Sequence, residues 1–197
     1  MQNNRLLLAV ITAAFVDIHF LHGQTEPLFH IFPSSQLLKP FVADGMAHRF
    51  GAVKLFGNKQ FRGSVGSVIP VLGTDYPGFP LQASVAASVH AQLDISQSIS
   101  LISTEFIVDF FLLDAQLDEG FIIRLGMSHT SHHLGDNALE RLQRPKPLDY
   151  SRDYFQLFLV RDIFPARVYA GTQYAYNFVV DTPVQKPWWL QAGIDGE

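Results

Sequence analysis

No cysteine occurs among the 197 residues. Disulfide scaffolds, thiolate metal sites and thiol catalysis are therefore excluded. Charge is scarce as well, at 16% of residues, against roughly 25% in ordinary soluble domains. There is no basic excess: Lys and Arg number 14, Asp and Glu 18, and the formal net charge is −4. A nucleic-acid partner, which requires a basic stripe, is not expected. No apolar run is long enough to cross a bilayer as a helix. The best of them, Leu6 to Val16, is broken by Thr12 and is about half of the ~20 residues that crossing takes.

What remains is apolar and aromatic. Hydrophobic residues make up 48% and Phe alone contributes 17, so disorder is excluded. The length predicts one domain. Arg5 followed by the Leu6–Val16 run reads as a secretory leader, with Leu21 and Gly23 at the −3 and −1 positions of a cleavage site. We expect 1–23 to be the leader, 24–46 a periplasmic lead-in and 47–197 the structured domain.

The clearest pattern is Leu81 to Leu93. Its odd positions, such as Leu81, Val85, Val89 and Leu93, are apolar. Its even positions, Gln82, Ser84, Ser88, His90 and Gln92, are polar apart from Ala86. A period of two marks a strand with one apolar face. A helix would not sort Gln and Ser by parity. Similar runs follow at Ala47–Phe56 and Phe61–Leu72, Glu105–Leu117 and Phe121–Ser131, Tyr154–Arg161 and Arg167–Phe178, and Trp188–Ile194. Turn residues join them in pairs: Gly57-Asn58, Asp118-Glu119-Gly120 and Asp162 to Pro165. That makes about eight antiparallel strands, the smallest number that closes a bacterial barrel.

Connections on one side are mostly short and on the other mostly long, with His132–Asp153 the longest. Outer-membrane barrels have this asymmetry. The reading is all-β: an antiparallel, up-and-down transmembrane β-barrel of outer-membrane type, located in the bacterial outer membrane after leader cleavage. Its expected partners are outer-membrane lipids and lipopolysaccharide. The chain ends Ile194-Asp195-Gly196-Glu197, without the terminal aromatic usual in bacterial barrels, so we expect an N-terminal part of a longer barrel. A secreted soluble β-sandwich that binds a ligand is the alternative.

The chemistry concentrates in Phe121–Asn137. Parity places Phe121, Ile123, Leu125, Met127, His129 and Ser131 on one face, and Arg124, Gly126, Ser128, Thr130 and His132 on the other. His129 and Ser131 share a face with Cβ atoms about 7 Å apart, a spacing from which an imidazole can activate a hydroxyl for acyl transfer. Glu140 and Asn137 are candidates, with Asp136 and Asp149, to orient the imidazole. In the bland reading His129 and Ser131 belong to an interfacial polar girdle. His132 and His133 with Asp136 are candidate binding residues, and the same three groups have the donor types for a divalent ion. Arg144 in a basic loop suits lipopolysaccharide phosphate. Glu105, Asp109 and Arg124 are read as lumen residues, Glu105 pairing with Arg124. Such pairs plug a small barrel.

Two resemblances attach to these residues. His129, Ser131, His133, Leu134, Gly135 and Asp136, with His132 in place of a second Ser, resemble a recurrent His-x-Ser-Ser-His-Leu-Gly-Asp segment. That segment belongs to an uncharacterised family of outer-membrane-like β-barrels, known only as a domain of unknown function. Pro40-Phe41-Val42-Ala43-Asp44 followed by Arg49-Phe50 resembles another block of that family. It implies a fold and a location and no activity. The His-x-Ser pair by itself also resembles the catalytic pair of outer membrane phospholipase A and of lipid A deacylase. That resemblance implies Ser131 as nucleophile and His129 as base. The third member is not matched, since Gln143 stands near where it falls in those families. The residues themselves call for no cofactor; calcium enters only through the phospholipase resemblance. The main expectation is a non-catalytic structural or transport barrel, with a serine-type lipid acyl hydrolase as the alternative.

Overall fold

The computed structural model describes residues 29–42, 44, 46–55, 59–74, 79–96, 100–142, 150–180 and 186–196. Residues 1–23, read as a leader, the expected Gly57-Asn58 turn, Arg144 and Asp149 lie outside them. The strands are β1 (Phe29–Ile31), β2 (Gly51–Leu55), β3 (Gln60–Thr74), β4 (Leu81–Asp94), β5 (Ser100–Asp118), β6 (Phe121–Leu134), β7 (Tyr150–Ile163), β8 (Ala166–Val180) and β9 (Trp188–Gly196). One short helix, α1 (Asp136–Leu142), lies between β6 and β7. Among the described residues no helix is long and apolar enough to cross a membrane.

All nine strands form one antiparallel sheet. From β3 to β9 each strand pairs with the next in the chain, an up-and-down order. β1 and β2 both pair with the other edge of β3, at opposite ends: β1 against Leu72–Thr74 and β2 against Gln60–Ser64. The outer edge of β9 is unpaired, so the sheet is not closed among the described residues.

The period-two segments are strands, and most run longer than the alternation alone indicates. His132, His133 and Leu134, expected in a loop, complete β6 opposite Ser103–Glu105. Tyr150–Asp153, also expected in that loop, opens β7. A ladder of backbone hydrogen bonds continues wherever a neighbour offers partners, whether or not the side chains alternate in polarity. At the other end of the chain Ala47–Phe50, read as strand, precedes β2 and stays outside it. The expected turn at Gly120 is present: this glycine has φ +88°, a conformation a Cβ disfavours, and its carbonyl accepts from Asp162 N at 2.7 Å.

On β4 and β6 the polar parity of the sheet is the buried one and the apolar parity the exposed one. Polar side chains lie on the buried face: Gln82, Ser84, Ser88 and His90 on β4, and Arg124, Ser128 and Thr130 on β6. The apolar parity is exposed: Leu125 is 47% exposed while its neighbour Arg124 is 7%. Where β5 would lose this register, an extra residue restores it. Asp109 pairs with Ser128 and Phe111 with Met127, so Phe110 bulges out. Phe110 and Phe111 are both exposed, and Asp109 and Leu112 on either side are both buried.

What buries the polar face is the chain's own segment 32–50. It leaves β1 at Phe32, whose φ is +52°, an uncommon value for a residue with a Cβ. Pro33 then sits against Gly73, where a Cβ would meet Pro33 Cγ at 2.9 Å. The segment crosses the sheet to β9 and comes back to β2. On the way Leu38 and Phe41 pack against Ile122, Phe158, Val160 and Tyr169, one of two apolar clusters on this face, the other being Val68, Ala86 and Leu112. Phe41 stacks on Tyr169 with centroids 4.0 Å apart and planes at 12°, and tilts against Phe158 at 5.3 Å. Glycines on neighbouring strands make room for these rings: Phe158 lies over Gly171 and Tyr169 over Gly193.

Phe41 is 4% exposed, so its removal leaves a cavity beneath the segment. Phe41→Ala is expected to lower stability by about 3–5 kcal/mol. Because the lost contacts hold the segment rather than the ladder, limited proteolysis should cut within 32–50 at denaturant concentrations where the sheet persists. Unchanged protease resistance would refute that anchoring role.

Candidate functional site

The covered face carries the densest chemistry. Arg124 projects from near the start of β6 and meets Asp114 of β5, its register partner, through two bonds of 2.7 Å. The two side chains are 8% and 1% exposed. Arg124 also donates to the carbonyl of Leu38 at 3.2 Å, so one guanidinium ties sheet to segment. Arg167 does the same further along: it pairs with Asp195 at 2.6 Å and donates to the carbonyls of Lys39 and Pro40. Asp195 in turn accepts from Val42 N at 3.1 Å. Nearer β3, Gln82 accepts from Leu37 N and donates to the Ser35 carbonyl, and Gln36 donates to the Val68 carbonyl.

On its return the segment places His48 against Asp109, with Nε2 and Oδ2 2.7 Å apart and both groups buried. The other Asp109 oxygen accepts from Gln156, which also donates to Ser128. Thr130 and Tyr154 share a hydrogen bond at 3.3 Å. Buried polar groups are costly unless paired, and these pairings explain how such a face can be buried at all. Between segment and sheet a cavity of about 50 Å³ remains, bordered by His48, Asp109, Arg124, Tyr154, Gln156 and Gln173.

The three residues read as lumen residues divide here. Asp109 and Arg124 are buried beneath the segment, and Glu105 lies on the same face near the far end of β5. The Glu105–Arg124 pairing does not form. Antiparallel register puts Glu105 opposite His132 and Arg124 opposite Asp114, and Glu105 instead accepts from Arg62 at 3.2 Å. Parity placed both residues on one face but says nothing of how far along the strand each sits.

The outward face has its own polar row. His129 of β6, Asp153 of β7 and Asn177 of β8 are successive register partners. His129 Nδ1 is 2.7 Å from Asp153 Oδ1, and Asn177 donates to Asp153 Oδ2 at 2.9 Å. Asp153 was not among the residues singled out from sequence to orient His129. It lies 24 positions away, and only the β6–β7 register makes it a neighbour. Ser131 shares the face but has no hydrogen bond to His129 among the described residues. It stands opposite Phe106 and Ser151.

His132 and His133, being consecutive in a strand, point to opposite faces. His133 lies edge-on to Phe106 at 5.9 Å. Asp136 opens α1, where its charge favours the helix N-terminus, and exposed Glu140 lies on the same helix. Asn137 is on α1 too, and its side chain is outside the description. No three His, Asp or Glu side chains converge on a metal site among the described residues. The Leu134-Gly135-Asp136 part of the motif is a corner: a Cβ on Gly135 would collide with the Leu101 carbonyl, and Gly135 N donates to Ile102 O at 2.8 Å.

Residues 24–196 match the family described as "Protein of unknown function (DUF1207)", and the chain belongs to that family. The description names neither a barrel nor a lipase. No curated protein and no solved structure matches the chain.

Breaking the central anchor has a defined signature. Arg124→Ala leaves Asp114 buried and unpaired, and should cost about 3–5 kcal/mol. Arg124→Leu combined with Asp114→Leu removes both charges and should recover much of that loss in denaturant unfolding. Equal stability of single and double variants would show that the pair is not the anchor.

Proposed function

We propose that this member of a family of unknown function is an outer-membrane β-barrel protein with a structural or transport role and no catalysis, its lumen occupied by segment 32–50. One observation carries the reading: rows of large apolar side chains are exposed on the open face while polar and charged ones, beside two apolar clusters, are buried on the other. A soluble sandwich needs the reverse, with apolar faces inward. A barrel in lipid needs this arrangement.

The extent of the apolar face supports the same reading. Its rows run from Phe121 to Met127 on β6 and continue across β7 and β8. Beyond them lie the His129–Asp153–Asn177 row at one end and the exposed Asp118–Arg161 pair at the other. Phe121 to His129 spans about 26 Å along the strand at ~3.3 Å per residue, close to the roughly 25 Å apolar band of outer-membrane barrels once tilt is allowed for. Aromatic contacts lie near the polar row: Phe155 with Tyr176 at 4.8 Å and Tyr174 with Trp188 at 4.7 Å. This is the usual station of an aromatic girdle. Lipids of the outer membrane and lipopolysaccharide are the partners this surface suits. In lipid, closure must come from pairing of the β9 edge.

Reconstitution into bilayers with brominated acyl chains tests the proposal. Trp188, on the open face, should be quenched strongly in a Trp189→Phe background, and Trp189 weakly in a Trp188→Phe background. Leu125→Arg should cost about 2–4 kcal/mol in the bilayer. A monomer that stays soluble without detergent and shows no quenching would overturn the reading.

The His129–Asp153 bond of 2.7 Å favours a second reading, a serine-type lipid acyl hydrolase. In it Asp153 fixes the imidazole, His129 takes the Ser131 proton and Ser131 attacks the ester carbonyl. Acyl release from phospholipid and lipopolysaccharide, with and without calcium, separates the two. The barrel reading expects none from the parent, and release abolished by Ser131→Ala would establish the hydrolase.

A further inference from the structure

A second cavity, of about 210 Å³, lies where the segment's return leg faces β8 and β9, bordered by Asp44, Met46, Gln173, Trp189, Leu190 and Gln191. We propose that it is a binding site for one ring of a neutral sugar. Trp189 and Gln173 are register partners on the covered face, so indole and amide stand side by side. The Arg152 guanidinium lies 4.1 Å from the indole centroid and 4.7 Å from the Tyr154 ring, held between them. Arg152 covers one face of the indole, yet Trp189 is still 51% exposed and borders the cavity.

The polar groups around the indole are already committed in a way that selects the ligand. Gln173 Oε1 accepts from Arg152 at 2.9 Å, so its amide N–H groups are what it offers the cavity. Asp44 Oδ1 accepts from Met46 N at 2.8 Å, which leaves Oδ2 as an acceptor. Gln191 shares a hydrogen bond with the Tyr169 hydroxyl and keeps the other half of its amide. The site thus presents a carboxylate acceptor, amide donors and an apolar ring face within one small cavity. A cation on the indole meets the Arg152 guanidinium charge 4.1 Å from the same ring, and an anion meets the Asp44 charge. A pyranose matches on all three counts: its neighbouring hydroxyls each donate and accept, its C–H face is apolar, and it carries no charge. Few polar groups around an aromatic surface are the usual makeup of a small-ligand site.

The ligand chemistry is the same for a free monosaccharide and for a sugar of the lipopolysaccharide core. The inference rests only on the cavity and does not require that the sheet sit in a bilayer. Its test is titration of the detergent-folded Trp188→Phe protein, where Trp189 is the one remaining tryptophan. Glucose, galactose and a lipopolysaccharide core oligosaccharide are added separately, with acetate and ethanolamine as charged controls. A saturable change in emission, half-complete on the order of 1 mM, is expected for at least one sugar and for neither control. Tighter binding of the core oligosaccharide would name the surface glycan as the source, and equal or tighter binding of a monosaccharide the free sugar. Asp44→Asn should weaken binding about tenfold, and Trp189→Leu should abolish the heat of binding by calorimetry. Absence of a saturable response to every sugar from protein with the circular dichroism of the folded sheet would overturn the proposal. A response that survives both substitutions, or one given by ethanolamine or acetate, would overturn it as well.

Discussion

A buried arginine organises this molecule. Arg124 stands in the middle of the sheet, neutralised by Asp114 on the next strand and bonded to the backbone of the segment that covers both. An ion pair taken out of water is tolerated only if its remaining hydrogen-bonding capacity is met. Here the Leu38 carbonyl meets part of it, and that obliges the chain between β1 and β2 to lie on the polar face. The Arg167–Asp195 pair repeats the arrangement at the far side. Sheet and segment are therefore interdependent: the sheet has a polar face that must be covered, and the segment has backbone groups that only that face satisfies.

The interface has an apolar share as well, centred on Phe41. Phe41 enters between Phe158 and Tyr169, and those rings lie flat because Gly171 and Gly193 leave space under them. Hydrogen bonds fix the path of the segment, and this aromatic contact supplies burial that polar groups cannot. The long connection between β1 and β2 also returns a different stretch of chain to the sheet, bringing His48 to Asp109 and Asp44 to the edge of the Trp189 cavity. The cavity at His48 and the cavity at Trp189 owe their shape to this out-and-back course.

The proposed function rests on the contrast between the two faces. The covered face holds polar networks and the sugar-sized cavity; the open face holds apolar rows ended by His129, Asp153 and Asn177. The outward His129 is held by Asp153 at 2.7 Å, and among the described residues Ser131 makes no hydrogen bond to it. A girdle of hydrogen-bonding groups at the end of an apolar band accounts for the same residues without a reaction. The block around Phe41 and the corner at Gly135 both have structural roles here, one anchoring the segment and the other packing closely on Leu101.

The alternation of Leu81–Leu93 and its sister runs was enough to establish an all-β chain, the hairpin pairs and which residues share a face. Parity is a local property, set by the pleat of each strand, and it survives in the folded protein with Arg124, Ser128 and Thr130 on one side and Leu125 on the other. What parity cannot carry is position along a neighbour. Register decided that Arg124 meets Asp114 and not Glu105, and that His129 meets Asp153. The course of 32–50 was beyond reach for a related reason: it has neither period, and its conformation is fixed by side chains from strands far away in the chain, from Gln82 to Asp195. Strand identity was determined by the sequence alone, because it depends on neighbours two residues apart. The covering segment, its ion pairs and both cavities were decided only by the tertiary structure, because each depends on groups that nothing but the assembled sheet brings together.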